Sequence, residues 1–359
     1  MGRRAFIDWL RGLAVAIMIE AHTIDAWTVN DPAVRGLWQY KRLQFIAGWA
    51  APLFLMLAGV SVALAVSAHL RKGKSIREAG WLVEKRGWEV FGMAFLFRLQ
   101  SFMLSPTQPV EGLLKVDILN IMGLAMVASA WCWSRATTDR QRAQWLLGGA
   151  ALCVLVGQFT PTWSWPLWFG DTLQGYFRSV KGTGNFMFFP WAGFVLVGTW
   201  LGGLLLVNRD AVADRRFHLG LGGAGVFVTL IGLAGTRWPE LTPHSTFWLE
   251  STSFFLIRLG AMTAMLSAAW IWMQRPRADR WSPMVVFGQT SLFVYWVHVE
   301  IVYGFPTIAI RYSLSIRDAL IAYALFTMFM LWLAVKWNQR TKGPLIPDYL
   351  QTSSGALTS

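Results

Sequence analysis

The chain has little cysteine, little histidine and little charge. Only two of its 359 residues are cysteine and five are histidine. Cys132 and Cys153 both lie in apolar stretches without a CxxC or CxxH pattern, so they predict neither a disulfide nor a metal site. Charged residues make up 14% of the chain, against roughly 25% in soluble domains. This composition excludes a disulfide-stapled scaffold and argues against a soluble fold.

Apolar sequence takes the place of the missing charge. Hydrophobic residues make up 55% of the chain, with 22 Trp and 24 Phe among them. Long apolar stretches recur from end to end without an alternating strand pattern, and unpaired backbone is not tolerated in lipid. We therefore predict an all-α fold, a polytopic integral membrane helix bundle whose partner is the lipid bilayer.

Stretches of roughly 20 apolar residues, the length that crosses a bilayer, mark the predicted spans. They number about ten and are placed at 7–27, 45–68, 87–104, 116–134, 145–160, 185–207, 218–235, 248–273, 284–304 and 317–337. The sequence contains no domain linker, so residues 1–340 form a single predicted transmembrane domain and 341–359 a flexible cytoplasmic tail.

The positive charges set the predicted orientation. With the N-terminus inside, 20 Lys and Arg residues fall on the cytoplasmic side and nine on the outer side. This bias places the N- and C-termini in the cytoplasm. The net charge of +13 is spread over the short links between spans, which excludes nucleic acid as a partner. The short loops favour a multi-pass protein of the cell inner (cytoplasmic) membrane.

A polar stripe runs down the first predicted span. Arg11 and His22 are eleven residues apart, so they share one helix face about 16 Å apart along the axis. Asp8 and Asp25 lie three residues outside this pair and add a carboxylate near each member. Glu20 lies on the opposite face, where we expect it to pair with another helix. Such stripes face a bundle interior or a wet cavity, although Arg11 by itself would also fit an arginine that reaches the interface.

Two more spans carry charge far from their predicted ends. Arg98 lies within "FGMAFLFRLQSFML" and Arg258 within "STSFFLIRLGAMTAM". A buried arginine needs a partner, and the candidates are Glu111, Asp117, Glu250 or a bound phosphate group.

The ninth predicted span adds a second polar stripe. In "GQTSLFVYWVHVE", Ser291, Tyr295 and His298 share one face at helical spacing. A lone histidine there is commonly a core residue, but three polar groups in a row favour a cavity lining.

These stretches resemble two related groups of membrane enzymes. "IDWLRGLAVAIMIEAH" (7–22) resembles the first helix of the acyltransferase-3 family, in which an arginine, ten residues and a histidine recur. The remaining similarity is to the heparan-α-glucosaminide N-acetyltransferase family, and it is carried in order by "APLFLMLAGVSVAL" (51–64), "DILNIMGLAMV" (117–127), "FFPWAGFVLVGTWLG" (188–202) and "FGQTSLFVYWVHVEIVY" (287–303).

The resemblance implies an acetyl-CoA-dependent transmembrane O- or N-acyltransferase. Such an enzyme takes an acetyl group from cytoplasmic acetyl-CoA and passes it to a glycan or lipid-linked sugar on the other side. By this likeness His22 is catalytic, and Arg11, Arg98 and His298 line the acyl-donor channel. The likeness also allows a homodimer. The role of His22 rests on the acyltransferase-3 pattern.

The chemistry of the residues agrees with this assignment. Histidine suits general-base removal of a proton from a hydroxyl or amine near neutral pH, and Asp25 is placed to orient the His22 ring. Arg11 suits the CoA phosphates, and the pantetheine arm is about as long as the axial separation of Arg11 and His22. Arg258 and Tyr295 are added to the candidate donor-binding residues, and no metal is expected.

Two other functions account for part of the pattern. A secondary transporter or flippase would also use a polar stripe as a substrate pathway, but the two halves show no convincing inverted repeat. A structural or sensory membrane protein would leave Arg11, His22, Arg98 and His298 unexplained. Release of free CoA distinguishes the enzyme from both alternatives.

Overall fold

A computed structural model provides the three-dimensional structure. It describes residues 5–104, 110–163, 170–178, 180, 186–238, 247, 249–275 and 281–342. The described residues are helical, apart from connecting turns and one isolated parallel bridge between Thr28 and Leu314. The predicted all-α class is therefore confirmed for this part of the chain. The predicted tail at 341–359 lies almost wholly outside the described residues.

The chain forms two compact units, one from residues 1–50 with 265–359 and the other from 51–264. The helices of the first unit are α1 (Ala5–Trp27), α2 (Pro32–Arg35), α3 (Trp38–Ala47), α12 (Pro283–Gln289), α13 (Ser291–Tyr303) and α14 (Ile316–Lys342). The second unit holds α4 (Ala50–Arg71), α5 (Ile76–Leu104), α6 (Ile118–Arg135), α7 (Asp139–Phe159), α8 (Gly170–Gln174), α9 (Phe188–Leu206), α10 (Ala211–Gly235) and most of α11 (Thr252–Met273).

The helices agree in position with the predicted spans. Among the described residues, seven helical segments are long and apolar enough to cross a membrane, and the bent pair α12 and α13 brings the number to eight. The long helices α1 and α5 carry more charge and are not among them. The chain is thus a polytopic helical membrane protein. The figure of about ten spans, which needs α1 and α5 to cross as well, stays a prediction, as does the side on which the termini lie.

Two glycines bring α1 and α12 into backbone contact in the first unit. A Cβ atom added to Gly12 would lie 1.8 Å from the carbonyl oxygen of Met284, and one added to Gly288 would lie 1.8 Å from that of Asp8. No larger side chain fits at either position without moving a helix. Close approach through small residues is a common way to pack helices in membranes, and here it fixes α12 beside the first half of α1.

The ninth predicted span is broken rather than straight. Helices α12 and α13 meet at Thr290 with a bend of 88°. The Thr290 hydroxyl donates to the Val286 carbonyl at 2.8 Å, a local bond by which Thr commonly disturbs a helix. The break gives α13 its own direction and brings it to the C-terminal half of α1.

A distant segment completes the C-terminal end of α1. The last carbonyl groups of a helix have no partner within it, and here Ala26 and Trp27 accept bonds of 2.9 Å from the backbone of Tyr312 and Leu314. Tyr312 adopts φ 55°, a left-handed conformation that is unusual for tyrosine. This pairing holds the start of α14 beside the end of α1.

The second unit uses the same kind of close packing. A Cβ atom on Gly59 of α4 would lie 2.0 Å from the Val195 carbonyl oxygen, and one on Gly198 of α9 would lie 2.1 Å from that of Met56.

Helix α6 begins at a capping box, in which Asp117 accepts from Ile118 N–H while Asn120 accepts from Asp117 N–H.

Candidate functional site

The predicted polar stripe lies on one unbroken helix. Because α1 runs from Ala5 to Trp27 without a break, Arg11 and His22 stand about 16 Å apart along its axis. The Arg11 guanidinium pairs with the Asp8 carboxylate at 3.2 Å, and the Asp8 side chain is almost completely buried. The first half of the stripe is therefore an ion pair within α1.

The second half of the stripe is joined to another helix. The Nδ1 atom of His22 lies 2.8 Å from the Nε2 atom of His298 on α13. The two ring planes differ by only 4°, which fits a hydrogen bond made in the ring plane, where the imidazole lone pair lies. His298 is fully buried, whereas His22 is partly exposed. The structure thus brings together two histidines 276 positions apart in the chain.

A backbone carbonyl determines which histidine nitrogen is protonated. The Nδ1 atom of His298 lies 2.7 Å from the Val294 carbonyl oxygen, which can only accept, so this nitrogen carries the hydrogen. In the neutral ring, Nε2 of His298 then holds the lone pair and accepts from Nδ1–H of His22. We therefore assign the lone pair of His22 to its Nε2 atom. This is the tautomer that a general base needs.

Aromatic side chains surround the histidine pair. The Tyr303 ring meets the His22 ring edge-on with centroids 5.5 Å apart, and the Tyr295 ring meets that of His298 at 6.1 Å. The predicted stripe on α13 thus places Tyr295 next to His298, but Tyr303 is the tyrosine that contacts His22.

Asp25 has partners other than the one predicted for it. Its carboxylate accepts from the Arg35 guanidinium at 3.3 Å, and the side chains of Tyr40 and Tyr303 lie close to it. The Nδ1 partner of His22 is His298 and not Asp25. The bend at Thr290 brings a second histidine to that nitrogen, and a role for Asp25 in orienting the His22 ring stays a prediction. Tyr303, whose ring meets that of His22, also lies near Asp25.

Glu20 also differs from its prediction. Both of its carboxyl oxygens are buried without a hydrogen-bond partner among the described residues. Tyr323 of α14 is nearby, and its hydroxyl donates to the Ala16 carbonyl at 3.5 Å instead. The ion pair that we expected between Glu20 and another helix is not found in this part of the chain. Burying a carboxyl group without a partner is costly.

The predicted arginines of the second unit have different surroundings. Arg98 pairs with Asp117 at 3.1 Å, which is one of the partners proposed from the sequence. Asp117 also caps α6, so this ion pair is attached to a helix start. Arg258 is 3% exposed, and its guanidinium lies over the Phe254 ring at 5.0 Å. Neither arginine belongs to the unit that contains His22.

Three residues near His22 were missed by the sequence analysis. Tyr303 lies five positions after His298, at the end of α13, and belongs to no polar stripe. Tyr40 and Arg35 lie in the segment after α1. Arg35 is one of the nine positive residues predicted to lie on the outer side, and no other role was predicted for it. Arg35 stacks on both the Tyr40 and the Tyr312 rings, at 5.4 and 5.7 Å. The sequence signal was the grouping of arginine with tyrosine in the segment after α1, at Arg35 and Tyr40, and in the segment before α14, at Arg311 and Tyr312.

One known family matches most of the chain. Residues 3–236 match the family described as heparan-alpha-glucosaminide N-acetyltransferase, catalytic. The match includes Arg11, His22 and Arg98 and ends before Arg258 and His298. No curated protein matches the chain. Because the family match covers more than half of the chain, this protein belongs to the heparan-α-glucosaminide N-acetyltransferase family and is a membrane acyltransferase.

Proposed function

We propose that the protein transfers an acetyl group from cytoplasmic acetyl-CoA to a hydroxyl or amine of a glycan or glycolipid on the outer side of the cell inner membrane. His22 is the general base. The observation that carries this proposal is the bond between His22 and His298, in which the Val294 carbonyl sets the tautomer of both rings. The family supplies the reaction class, with an acetyl-CoA donor and a glycan acceptor.

The tautomer supports a balanced proton transfer. The acceptor oxygen or nitrogen attacks the thioester carbonyl carbon while Nε2 of His22 takes its proton. The carbon–sulfur bond then breaks, and the imidazolium returns the proton to the departing CoA thiolate. During this step Nδ1–H of His22 stays bonded to His298, which holds the ring in place. The products are the acetylated acceptor and free CoA.

The two ends of α1 have different proposed roles, donor binding at Arg11 and proton transfer at His22. Arg11 lies about 16 Å along the helix from His22, so it is placed to meet a CoA phosphate while the thioester reaches the histidine. Arg98 and Arg258 are further candidates for binding the phosphates, and Tyr295 is a candidate for the donor pocket. Asp25 acts as a positioning residue, because it lies near Tyr303, whose ring meets that of His22.

The test is thiol release by the purified full-length protein in detergent. Wild type incubated with acetyl-CoA and glucosamine oligosaccharides, which offer free amines and hydroxyls, should release free CoA. His22→Ala should bind acetyl-CoA with unchanged affinity but lose turnover by a factor of about 10²–10⁴, the usual contribution of a general base. His69→Ala, which changes a histidine outside the site, serves as the matched control. Full turnover by His22→Ala would remove the histidine from the mechanism.

A transporter or flippase is the second candidate function. The 88° break between α12 and α13 favours it, because broken helices form the substrate sites of many transporters. The same assay separates the two functions. Uptake of a labelled sugar into proteoliposomes without any CoA release would support transport and contradict the enzyme.

A further inference from the structure

A wide groove lies beside the histidine end of α1 in the first unit. It has a volume of about 1020 Å³ and runs between α3 and the start of α14. Trp38, Arg42 and Leu43 form one wall, and Arg317, Leu320 and Ile321 form the other. This volume is sufficient for a drug-sized or larger ligand. No residue of the proposed catalytic site lines the groove.

The groove combines apolar walls with two cationic side chains. The Arg42 guanidinium is stacked on the Trp38 ring at 4.4 Å, which holds it at the groove wall. Neither Arg42 nor Arg317 pairs with a carboxylate among the residues that the structure describes. Two arginines above an apolar surface are complementary to a phosphate group that carries a hydrocarbon chain.

The groove lies at the level where lipid headgroups are expected. The candidate spans Trp38–Arg71 and Ile316–Thr341 both begin at its walls. Trp38 is 59% exposed, which is typical of tryptophan at a membrane interface. A phosphate bound by the arginines would therefore stand at the headgroup level, with its chain along Leu43, Leu320 and Ile321.

The groove is also joined to the histidine site by packed side chains. Its wall residues Leu43, Leu314 and Ile316 pack against a buried cluster that contains Ile24 and Tyr40. Ile24 follows His22 by two residues, about 3 Å along the axis of α1. Arg35 lies over the Tyr40 ring at 5.4 Å and pairs with Asp25 at 3.3 Å. The groove therefore packs against the last turns of α1, which also carry the proposed base.

We propose that this groove binds the lipid phosphate of a lipid-linked sugar, so that the acceptor of the acyltransferase is a membrane-anchored glycan. The inference rests on the proposed function, because it specifies the acceptor of that reaction. The lipid chain and phosphate occupy the groove, and the sugar extends past Tyr40 to His22. Ordinary phospholipids carry the same phosphate chemistry, so the test must separate them from the proposed ligand.

The experiment measures binding of radiolabelled farnesyl phosphate to the full-length protein in detergent, with farnesol as the probe that lacks the phosphate. Wild type should bind farnesyl phosphate at least about tenfold more tightly than farnesol, because only the former meets the two arginines. The double variant Arg42→Gln with Arg317→Gln should lose this difference. Lys41→Gln, which removes a neighbouring exposed charge of the same helix outside the groove, should retain it.

Three results would overturn the inference. They are equal binding of farnesyl phosphate and farnesol, unchanged binding by the double arginine variant, and equal displacement of farnesyl phosphate by dioleoylphosphatidylglycerol. The last result would identify the groove as a site for bulk phospholipid. Release of thiol from acetyl-CoA, measured on the same preparation, tests the proposed function separately, so a failure of the enzyme assignment is not confused with a failure of the groove.

Acetyl transfer gives the second readout. With glucosamine linked through phosphate to farnesol as acceptor, the double variant should show a KM raised at least about tenfold and an unchanged kcat. With methyl glucosaminide, which has no lipid, wild type and variant should behave alike. Equal loss of activity with both acceptors would indicate damage to the catalytic site and would contradict a role in binding the lipid.

Discussion

The two ends of α1 are built in different ways. Near its N-terminus, Arg11 pairs with Asp8 of the same helix, and the backbone is pressed against α12 through Gly12. Near its C-terminus, the partner of His22 comes from α13 and the helix is completed by residues 312–314. The comparison teaches that the ion pair at one end follows from local spacing, whereas the histidine pair at the other end exists only when distant helices have packed.

The largest expected effect is the loss of folded protein when the contact between α1 and α12 is disrupted. Gly12→Val or Gly288→Val would force a side chain into backbone atoms 1.8 Å away, so we expect little folded protein. The measurement is recovery as a monodisperse peak after detergent extraction. Gly92→Ala is the control, because a Cβ atom there has nothing within 4 Å, and it should keep or slightly raise stability. Normal recovery of both valine variants would contradict the observed helix contact.

The second-largest effect is expected on kcat, when the His298 partner of His22 is substituted. His298→Phe keeps an aromatic ring beside His22 but removes the acceptor for Nδ1–H, so kcat should fall about 100-fold or more as the base loses the partner that selects its tautomer. The KM for acetyl-CoA should not change.

His298→Gln provides the matched variant for this prediction. Its amide oxygen is able to accept from His22, so kcat should recover much of the loss seen with phenylalanine. Steady-state thiol release measures both variants. Equal kcat values for the phenylalanine and glutamine variants would show that His298 contributes shape and not a hydrogen bond.

Substitution of Arg11 should weaken the binding of acetyl-CoA and leave turnover unchanged. Arg11→Ala removes a charged partner for a CoA phosphate, so the KM for acetyl-CoA should rise about tenfold, equivalent to about 1.4 kcal/mol. The kcat at saturation should stay near the wild-type value. Acetyl-pantetheine, which lacks the nucleotide phosphates, should be used equally well by both proteins. A drop in kcat with an unchanged KM would move Arg11 from donor binding to the chemical step.

The smallest effect is expected on thermal stability, when Glu20 on the face of α1 opposite to the polar stripe is substituted. Glu20→Gln replaces a buried carboxyl group that has no hydrogen-bond partner among the described residues with a neutral group of the same shape. The unfolding midpoint should therefore change by less than about 2 °C or should rise. The measurement is thermal unfolding in detergent at pH 7. A clearly lower midpoint would show that the charged form of Glu20 is needed.

Much of the helical organisation could be predicted from the sequence. Apolar stretches of the right length marked the positions of the spans, because lipid requires the backbone to satisfy its own hydrogen bonds. The pairing of Arg11 with Asp8 followed from a spacing of three residues. Asp117 was one of the partners proposed for Arg98, and the structure joins the two. The break at Thr290 was not foreseen, because residues 284–304 read as one apolar stretch.

The geometry of the candidate site was harder to predict from the sequence. His22 and His298 were both selected from sequence, but as members of separate stripes, and the neighbour three residues away, Asp25, was assigned to His22. Local spacing favours such a neighbour, yet it carries no information about which helix will pack alongside. Tyr303 and Tyr40 were missed for the same reason, since each acquires its role only through contact with α1.

The sequence by itself determined the membrane class, the helices and the local ion pair of Arg11, because these depend on burial in lipid and on helical spacing. Only the tertiary structure decided that His22 bonds to His298 and that Tyr303 meets the His22 ring. It also placed the groove between α3 and α14 beside that site. The physical reason is that a hydrogen bond between residues 276 positions apart depends on the bend at Thr290 and on the two glycine contacts, which set the helix directions together.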